Sequence, residues 1–270
     1  MPKINHQVPV YEELFNTAKK HDYCVVIFVI NEGERLHKQL DRMKDCNLNV
    51  DIIISDGGST DGSTDKRTLR NYEVNTLLVI KEKGKLGSQM RVAFSWALEK
   101  GYKGIVVLDG NNKDSVENIN DFVDLLEKGY DHVQGSRFIP GGKAINTPLT
   151  RLLGLKLIHA PLVRLASGFE YTDTTNGFRA YSKKLLLSEK IAIFRNVFSG
   201  YECHYYLAIE AAKKGFKCVE IPVSRAYPIG KIPTKLSPIK GKLEILKALF
   251  LTCLGVYSPS MKKLLFSKKS

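Results

Sequence analysis

Four short apolar runs, each closed by a polar turn, constrain the fold of this chain more than any other feature. They are Tyr23–Ile30 (YCVVIFVI), Val50–Ser55 (VDIIIS), Thr76–Lys81 (TLLVIK) and Gly104–Asp109 (GIVVLD). Their β-branched residues run almost unbroken, the mark of strands buried on both faces of a mostly parallel sheet. Between them the apolar spacing becomes helical. Leu36, Leu40 and Met43 share one face, Met90, Phe94, Ala97 and Leu98 a second, and Val116, Ile119, Val123 and Leu126 a third. Strand and helix in alternation predict an α/β fold, a doubly wound, mostly parallel sheet flanked by helices.

The second half is less regular. Tyr130–Phe138 and Phe216–Val223 read as further strands, Leu152–Phe169 as one or two amphipathic helices, and Tyr201–Ile209 as a helix. Lys242–Leu254 (KLEILKALFLTCL) reads as a C-terminal helical extension. Its uncharged stretch is too short to cross a bilayer, and core packing is favoured over an interfacial position. A chain of 270 residues suffices for one large domain with a modest appendage. The division expected is a catalytic domain over 1–235, with halves at about 20–115 and 130–235, and a basic, partly apolar segment over 236–270.

The formal net charge is +13, from 41 basic against 28 acidic residues. Without zinc-finger spacing or an RNA-recognition aromatic motif, nucleic acid is disfavoured as a partner, and phosphates on small molecules or an anionic membrane surface fit better. The five cysteines form no CxxC pair and sit largely in apolar runs, as free thiols of a reducing compartment do. The N-terminus lacks an apolar core of signal-peptide length, so the expected location is cytoplasmic, with peripheral attachment to the inner face of the membrane.

In an open parallel sheet, ligands bind beyond the carboxyl ends of the strands. Three polar segments fall there: Asn31-Glu32-Gly33, Asp56 to Gly62 (DGGSTDG) and Asp109 to Asp114 (DGNNKD). Each alone is an ordinary turn. Three acidic, glycine-bearing loops at corresponding strand ends point to a site. GxxxxGK[ST] is missing, which excludes a P-loop NTPase, and no GxGxxG follows the first strand, which excludes that dinucleotide fingerprint. Gly84-Lys85-Leu86-Gly87 reads as a turn into a helix.

VVIFVINEGERL, DIIISDGGSTDGS, VVLDGNNKD, GSRFIPGG, TDTTNGFRAYS and GYECHYYLAIEAAKKGFKCVEIPV occur in the order seen in family 2 glycosyltransferases. The chain resembles most the dolichol- or polyprenyl-phosphate mannosyltransferase branch, over roughly Tyr23 to Lys235. The resemblance implies a GT-A-type, Rossmann-like fold and transfer of a sugar from a nucleoside-diphosphate donor to a lipid-phosphate or glycan acceptor, with inversion, in cell-envelope or surface polysaccharide synthesis. It implies nucleotide contacts from Glu32, Asp56 and Asp109, with backbone near Val29 and Ile30 flanking the base. It implies a divalent cofactor, Mg²⁺ or Mn²⁺, held at the family's DxD positions, here Asp109 and Asn111. An amide oxygen ligates such ions but adds no charge. Asp114 could restore a carboxylate, although Asp114 to Glu117 fits a helix cap better. Arg137 and Arg179 offer planar forks for phosphate, and Asp173 could orient sugar hydroxyls. Arg225, Lys231 and Lys235 resemble the branch's basic segment over the diphosphate. Asp109 and Arg179 are placed in the catalytic set with Glu202, the leading base, and His204 lies two residues on. A lipid-phosphate acceptor is already ionised and needs no base. The rival readings are a sugar-phosphate nucleotidylyltransferase, disfavoured by the acidic VINEGERL, and a catalytically degenerate basic binding protein, favoured only by Asn111.

Overall fold

The computed structural model describes residues 7–82, 84–230 and 240–259. Lys231 and Lys235 lie outside them. The four apolar runs form β2 (Tyr23–Val29), β3 (Asp51–Asp56), β4 (Thr76–Ile80) and β5 (Gly104–Asp109). They pair in parallel in the order β4-β3-β2-β5. The register sets Val29 beside Asp56, and Phe28 beside Asp109, so the three polar loops emerge along one edge of the sheet. An edge strand, β1 (Tyr11–Asn16), adds antiparallel to β4 and has no counterpart in the sequence expectation.

Beyond β5 the sheet changes character. β6 (His132–Ser136), then β7 (Lys143–Ile145) and β8 (Arg179–Ser182) follow in the chain, and β8 inserts antiparallel between β5 and β6. β9 (Cys218–Pro222) closes the eight-stranded sheet in parallel with β6, and β10 (Ser224–Ala226) pairs with β7 in a small second sheet. The expected parallel sheet therefore holds for its first half and is mixed in its second.

Helices cover both faces. α1 (Glu34–Lys44) buries Leu36, Leu40 and Met43, with acid in its first turn and base in its last, as the helix dipole favours. Each of those side chains contributes about 1.5–3 kcal/mol by leaving water. α2 (Lys66–Asn71) precedes β4, α3 (Leu86–Glu99) joins β4 to β5, and α4 (Ile119–Glu127) follows β5. Strand alternation splits the core. Cys24, Val26 and Phe28 face α3, while Val25, Ile27 and Val29 face α1 and α4.

Leu149–Ser167 is continuous: α5 (Leu149–Gly154), a π-helical turn at Leu155–His159, then α6 (Ala160–Ser167). The wide turn abuts Pro161, which has no N–H for a regular bond. A single turn, α7 (Lys183–Leu186), follows β8. α8 (Glu202–Lys213) and α9 (Lys240–Cys253) pack with α6 around Val163, Tyr205, Ile209 and Leu249. α9 is only partly core. Leu249 is sealed, yet Leu243, Phe250 and Leu254 are exposed.

Candidate active site

The first two loops brace each other. Asn31, in the left-handed region at φ 49°, donates its N–H to Ser59 Oγ (2.9 Å) and accepts from Thr60 N (2.8 Å). Asp61 accepts from Gly33 N at 2.9 Å. The buried Asp56 carboxylate accepts from Gly58 N, Ser59 N, Ser59 Oγ and Thr64 Oγ1 at 2.7–3.0 Å. Asp56 thus holds its own loop in shape, and only its Oδ2 has acceptor capacity to spare. Val29 is buried and its carbonyl takes Gly57 N (2.8 Å) and Gln89 Nε2 (2.8 Å), so the half-exposed Ile30 is the apolar surface offered to a base. Gln89 also donates to Ser55 O (2.9 Å) and pins the ends of β2 and β3 together from α3, a role with no local signal in the sequence. Glu32 lies just before α1, bonded to Arg35 through Oε2 (2.9 Å).

Asp109 ends β5 with its side chain one-third exposed. Gly177 faces it, and a Cβ there would reach 3.6 Å from the carboxylate oxygens. Asn111 Nδ2 donates to Asp109 Oδ2 (3.2 Å), and its amide oxygen is buried with no partner. Arg225 Nη2 reaches the same Oδ2 at 3.3 Å.

Asp114 is not a helix cap. It is fully buried and accepts two bonds from Arg225 Nη1, at 2.6 and 2.7 Å. Ser115 precedes the short 3-10 turn instead, and Glu117 pairs with Arg42. The Asp114↔Arg225 bridge draws the side chain inward, where an unpaired carboxylate is very costly. Burial raises the Asp114 carboxyl above its ordinary range although Arg225 opposes the shift.

Two further expectations need correction. Arg137 and Asp173 are locked to one another, Nε to Oδ2 at 2.6 Å and Nη2 to Oδ1 at 2.9 Å, with Asp173 fully buried. Asp173 therefore orients an arginine and is out of reach of a sugar, while Arg137 keeps only Nη1 without a protein acceptor. Arg179 is buried and donates to the carbonyls of Asn176, His204 and Thr174 at 2.7–2.9 Å. Its fork braces the 174–176 loop against α8 and does not face a phosphate.

His204 is buried beside Arg179, with Nδ1 on Tyr181 OH (3.1 Å) and Nε2 unpartnered. Burial, then Arg179, push its pKa well below the usual value, so it stays neutral. Glu202 lies at the start of α8, where Oε1 accepts from Ser199 N and Gly200 N at 2.6 Å each. That oxygen braces the helix start, and Oε2 has no hydrogen bond to the described protein atoms.

Three functional candidates escaped the sequence reading. Tyr227 lies under a ring of cations: Lys113 and Arg151 each 5.3 Å from its centroid, Arg225 at 5.9 Å. Burial raises its phenol, but Arg225, Arg137 and Arg151 outweigh it and the pKa falls. Lys113 is held below its ordinary value by burial first and by Arg225 next. Arg225 and Arg137 have carboxylate partners, whereas Lys113 and Arg151 have no ion pair among the described residues. They are the surplus positive charge beside Asp109.

Among the described residues no cluster of three His, Cys, Asp or Glu could hold a metal alone. Mg²⁺ and Mn²⁺ do not require one, because they commonly take one or two protein oxygens and complete their shell with water and substrate phosphate. The half-open Asp109 and the orphaned amide oxygen of Asn111 fit that role once the Asn111 amide turns its oxygen to the carboxylate. Asp114, sealed under Arg225, does not.

The model of the family described as Glycosyl transferase family 2 matches residues 24–188. The chain is 30% identical over 203 residues to a polyprenol monophosphomannose synthase of Mycolicibacterium smegmatis, covering 74% of this chain and 76% of that protein. It is 29% identical over 201 residues to an undecaprenyl-phosphate mannosyltransferase of Micrococcus luteus, covering 74% and 81%. A dolichyl-phosphate hexose transferase of Haloferax volcanii is 27% identical, over 86% of this chain and 94% of its own. Among solved structures, glucosyl-3-phosphoglycerate synthase of Mycobacterium tuberculosis with uridine diphosphate superposes at a TM-score of 0.61, with 17% identity over 86% of this chain and 79% of that one. The same enzyme with Mn²⁺, uridine diphosphate and glucosyl-3-phosphoglycerate superposes at 0.57, with 16% identity over 86% and 78%.

Proposed function

The chain belongs to glycosyl transferase family 2, in its dolichol/polyprenyl-phosphate mannosyltransferase-like branch and with a GT-A fold, and from that premise we propose that it moves a sugar from a nucleoside-diphosphate donor to a polyprenyl-phosphate acceptor. The observation that carries this reading is the end of β5, where Asp109 sits next to an amide oxygen and two cations that have, among the described residues, no hydrogen-bond partner and no ion pair respectively.

On this reading the braced 31–33 and 56–64 loops and Ile30 receive the base and ribose. Asp109 and Asn111 would hold Mg²⁺ or Mn²⁺. The ion supplies charge neutralisation for the departing diphosphate. Arg225, anchored on Asp114, and Nη1 of Arg137 add fixed donors on the same side. Lys113 and Arg151 seat the acceptor phosphate. An ionised phosphate oxygen attacks the anomeric carbon with inversion, a C–O bond forms, and the bond to the diphosphate breaks with its electron pair on the leaving oxygen. No proton has to be removed from such an acceptor, so the reaction needs no general base.

The lipid part of the acceptor accounts for a second feature. Leu149, Leu153, Leu157 and Leu165 lie exposed along one continuous helical stretch, and Leu243 and Phe250 along α9 with Leu254 just past its end. Among the described residues no helix is long and apolar enough to cross a membrane. Exposed leucines with a surplus of basic residues suit attachment to the surface of an anionic bilayer instead. Surface polysaccharide or other cell-envelope synthesis is the process such a product would feed.

The test is a thermal-shift titration with GDP and UDP, with and without Mn²⁺, on the unmodified protein and on Asp109→Asn. A ligand that binds only the folded state raises the melting temperature. The reading expects a metal-dependent rise with one diphosphate, lost in Asp109→Asn together with transfer to a polyprenyl phosphate. Equal shifts in both proteins, or normal turnover by the variant, overturn it.

A further inference from the structure

A cavity of about 520 Å³ opens beside the site just described, between the first turn of α3, the 199–202 loop and α9. Its position follows from the topology. α3 leaves the carboxyl end of β4, so its N-terminus lies along the same sheet edge as Asp109. The first turn of α3 and the 199–202 loop touch so closely that a Cβ on Gly87 would stand 2.8 Å from Gly200 N. Tyr201 lines the cavity, and its phenol is raised by burial first and then by the charge of Asp109, with Glu244 adding to it, so the ring lies within electrostatic reach of the Asp109 site.

The walls are chemically balanced. Lys85 pairs with Glu244 across the mouth at 2.7 Å. Lys247 and Glu202 add one charge of each sign, so the lining has no net charge and no bias towards an anion. Ala248, Leu251 and the rings of Tyr201 and Tyr257 supply apolar surface. Alternating hydrogen-bond donors and acceptors against aromatic and aliphatic faces match a neutral polyol ring, whose hydroxyls do both and whose C–H faces are apolar. α9 is shaped for this wall. Glu244, Lys247, Ala248 and Leu251 recur at helical spacing on the cavity side, while Leu249 faces the core and Phe250 the solvent.

Glu202 is the fixed point of the lining. Its Oε1 is clamped by two backbone N–H groups at 2.6 Å, which sets the carboxylate rigidly. Its Oε2 has no hydrogen bond to the described protein atoms and stands 2.8 Å from where a Cβ on Gly200 would lie, so a side chain at 200 would displace it. A carboxylate held in this way is an oriented acceptor for hydroxyl donors.

We infer that this cavity seats the neutral hexosyl group of the donor, and that Glu202 is a specificity-determining residue that reads its hydroxyls. The inference rests on the donor reading above and assigns the part of the donor that the Asp109 region does not hold. It replaces the expected proton-abstracting role of Glu202 with sugar recognition.

The experiment compares a nucleotide sugar with its parent diphosphate. GDP-mannose against GDP, and UDP-glucose against UDP, are titrated calorimetrically with Mn²⁺ into the unmodified protein, Glu202→Gln and Ala248→Trp. Glu202→Gln replaces the free acceptor with an amide donor, and Ala248→Trp fills the cavity from α9. Both variants should bind the diphosphate as the unmodified protein does and lose about tenfold or more of the nucleotide-sugar affinity, the scale expected when a polar site loses one matched hydroxyl contact. Unchanged nucleotide-sugar affinity in both variants overturns the assignment, as does an equal loss for diphosphate and nucleotide sugar. If the unmodified protein binds a diphosphate but gains nothing from any sugar, the cavity assignment falls while the nucleotide reading stands. If it binds no diphosphate, that reading falls and this one with it.

Discussion

Replacing Arg225 by methionine should cost this protein more stability than the loss of an exposed ion pair would, and the loss should depend on pH. Arg225 donates twice to Asp114, at 2.6 and 2.7 Å, and Asp114 is 1% exposed. Methionine fills most of the volume but leaves a carboxylate with no counter-charge in the interior. Breaking a buried pair from one side costs about 3–5 kcal/mol, on the order of 10 °C in melting temperature for a domain of this size. The carboxyl is already raised by burial, with Arg225 as the main opposing influence, so removing Arg225 raises it further. A carboxyl that binds its proton more tightly folded than unfolded contributes full stability below its unfolded pKa and loses it as pH rises through the folded value. The deficit of Arg225→Met relative to the unmodified protein should therefore be least at acid pH, near the unfolded carboxyl value of about 3.9, and grow by up to about 1.4 kcal/mol per pH unit as pH rises. The Asp114→Asn, Arg225→Met double variant, with no buried charge left, should recover most of the loss. Urea denaturation at several pH values measures all three proteins. A deficit below about 1 kcal/mol at pH 8, the size of an exposed pair, or one constant from pH 5 to pH 8, would refute the reasoning.

The buried His132 and His204 titrate in the opposite sense. Burial first, then Arg179, hold both well below the usual histidine value, so their stability is present above about pH 6.5, the unfolded value, and is lost as pH falls through the folded values. His204→Gln should flatten the fall in urea midpoint below pH 6.5 relative to the unmodified protein, and an unaltered acid slope would show that His204 does not carry it. For the membrane, Leu157→Glu with Phe250→Glu should release the protein from phosphatidylglycerol vesicles in a flotation assay at low salt, since both side chains are exposed on the helices proposed to dock. Undiminished flotation of the folded variant would remove those helices from the contact.

The parallel half of the sheet was legible because its strands are buried on both faces, and β-branched runs such as CVVIFV and GIVVL leave little else to form. β8 was not legible. It is four residues long, begins with Arg179, and its insertion between β5 and β6 depends on partners far away in the chain. The loops that carry Asp56 and Asp109 were found by position at strand ends, but what each carboxylate does there was not. DGGSTDGS contains enough hydroxyl and N–H donors to occupy Asp56 internally, a fact readable only once the loop is closed. Asp114 was misassigned for a related reason. Local sequence offers a cap, whereas the partner that decides the matter is Arg225, 111 positions on. Arg179 and Arg137 show the limit of reading arginine as a phosphate fork. Carbonyls and a carboxylate satisfy the same geometry, and burial decides which. Lys113 stood within the DGNNKD run and could have been singled out by its neighbours. Arg151 and Tyr227 carried no local signal.

The charge arrangement gives the asparagine at 111 a physical meaning. Lys113, Arg137, Arg151 and Arg225 stand against Asp109, Asp114 and Asp173, which leaves one positive charge before any ligand arrives. A carboxylate at 111 would cancel it and place two negative groups side by side at the end of β5. With an amide there, Arg225 rests its second arm on Asp109 at 3.3 Å while its first stays on Asp114 at 2.6 Å. The longer contact is the weaker of the two, so Asp109 is the carboxylate that a metal and diphosphate can recruit without uncovering Asp114. An arginine held by one buried partner and lightly by another keeps its position when the second partner changes allegiance. Arg225 would then stand fixed beside the new anion, and the order lost on binding would be that of one hydrogen bond.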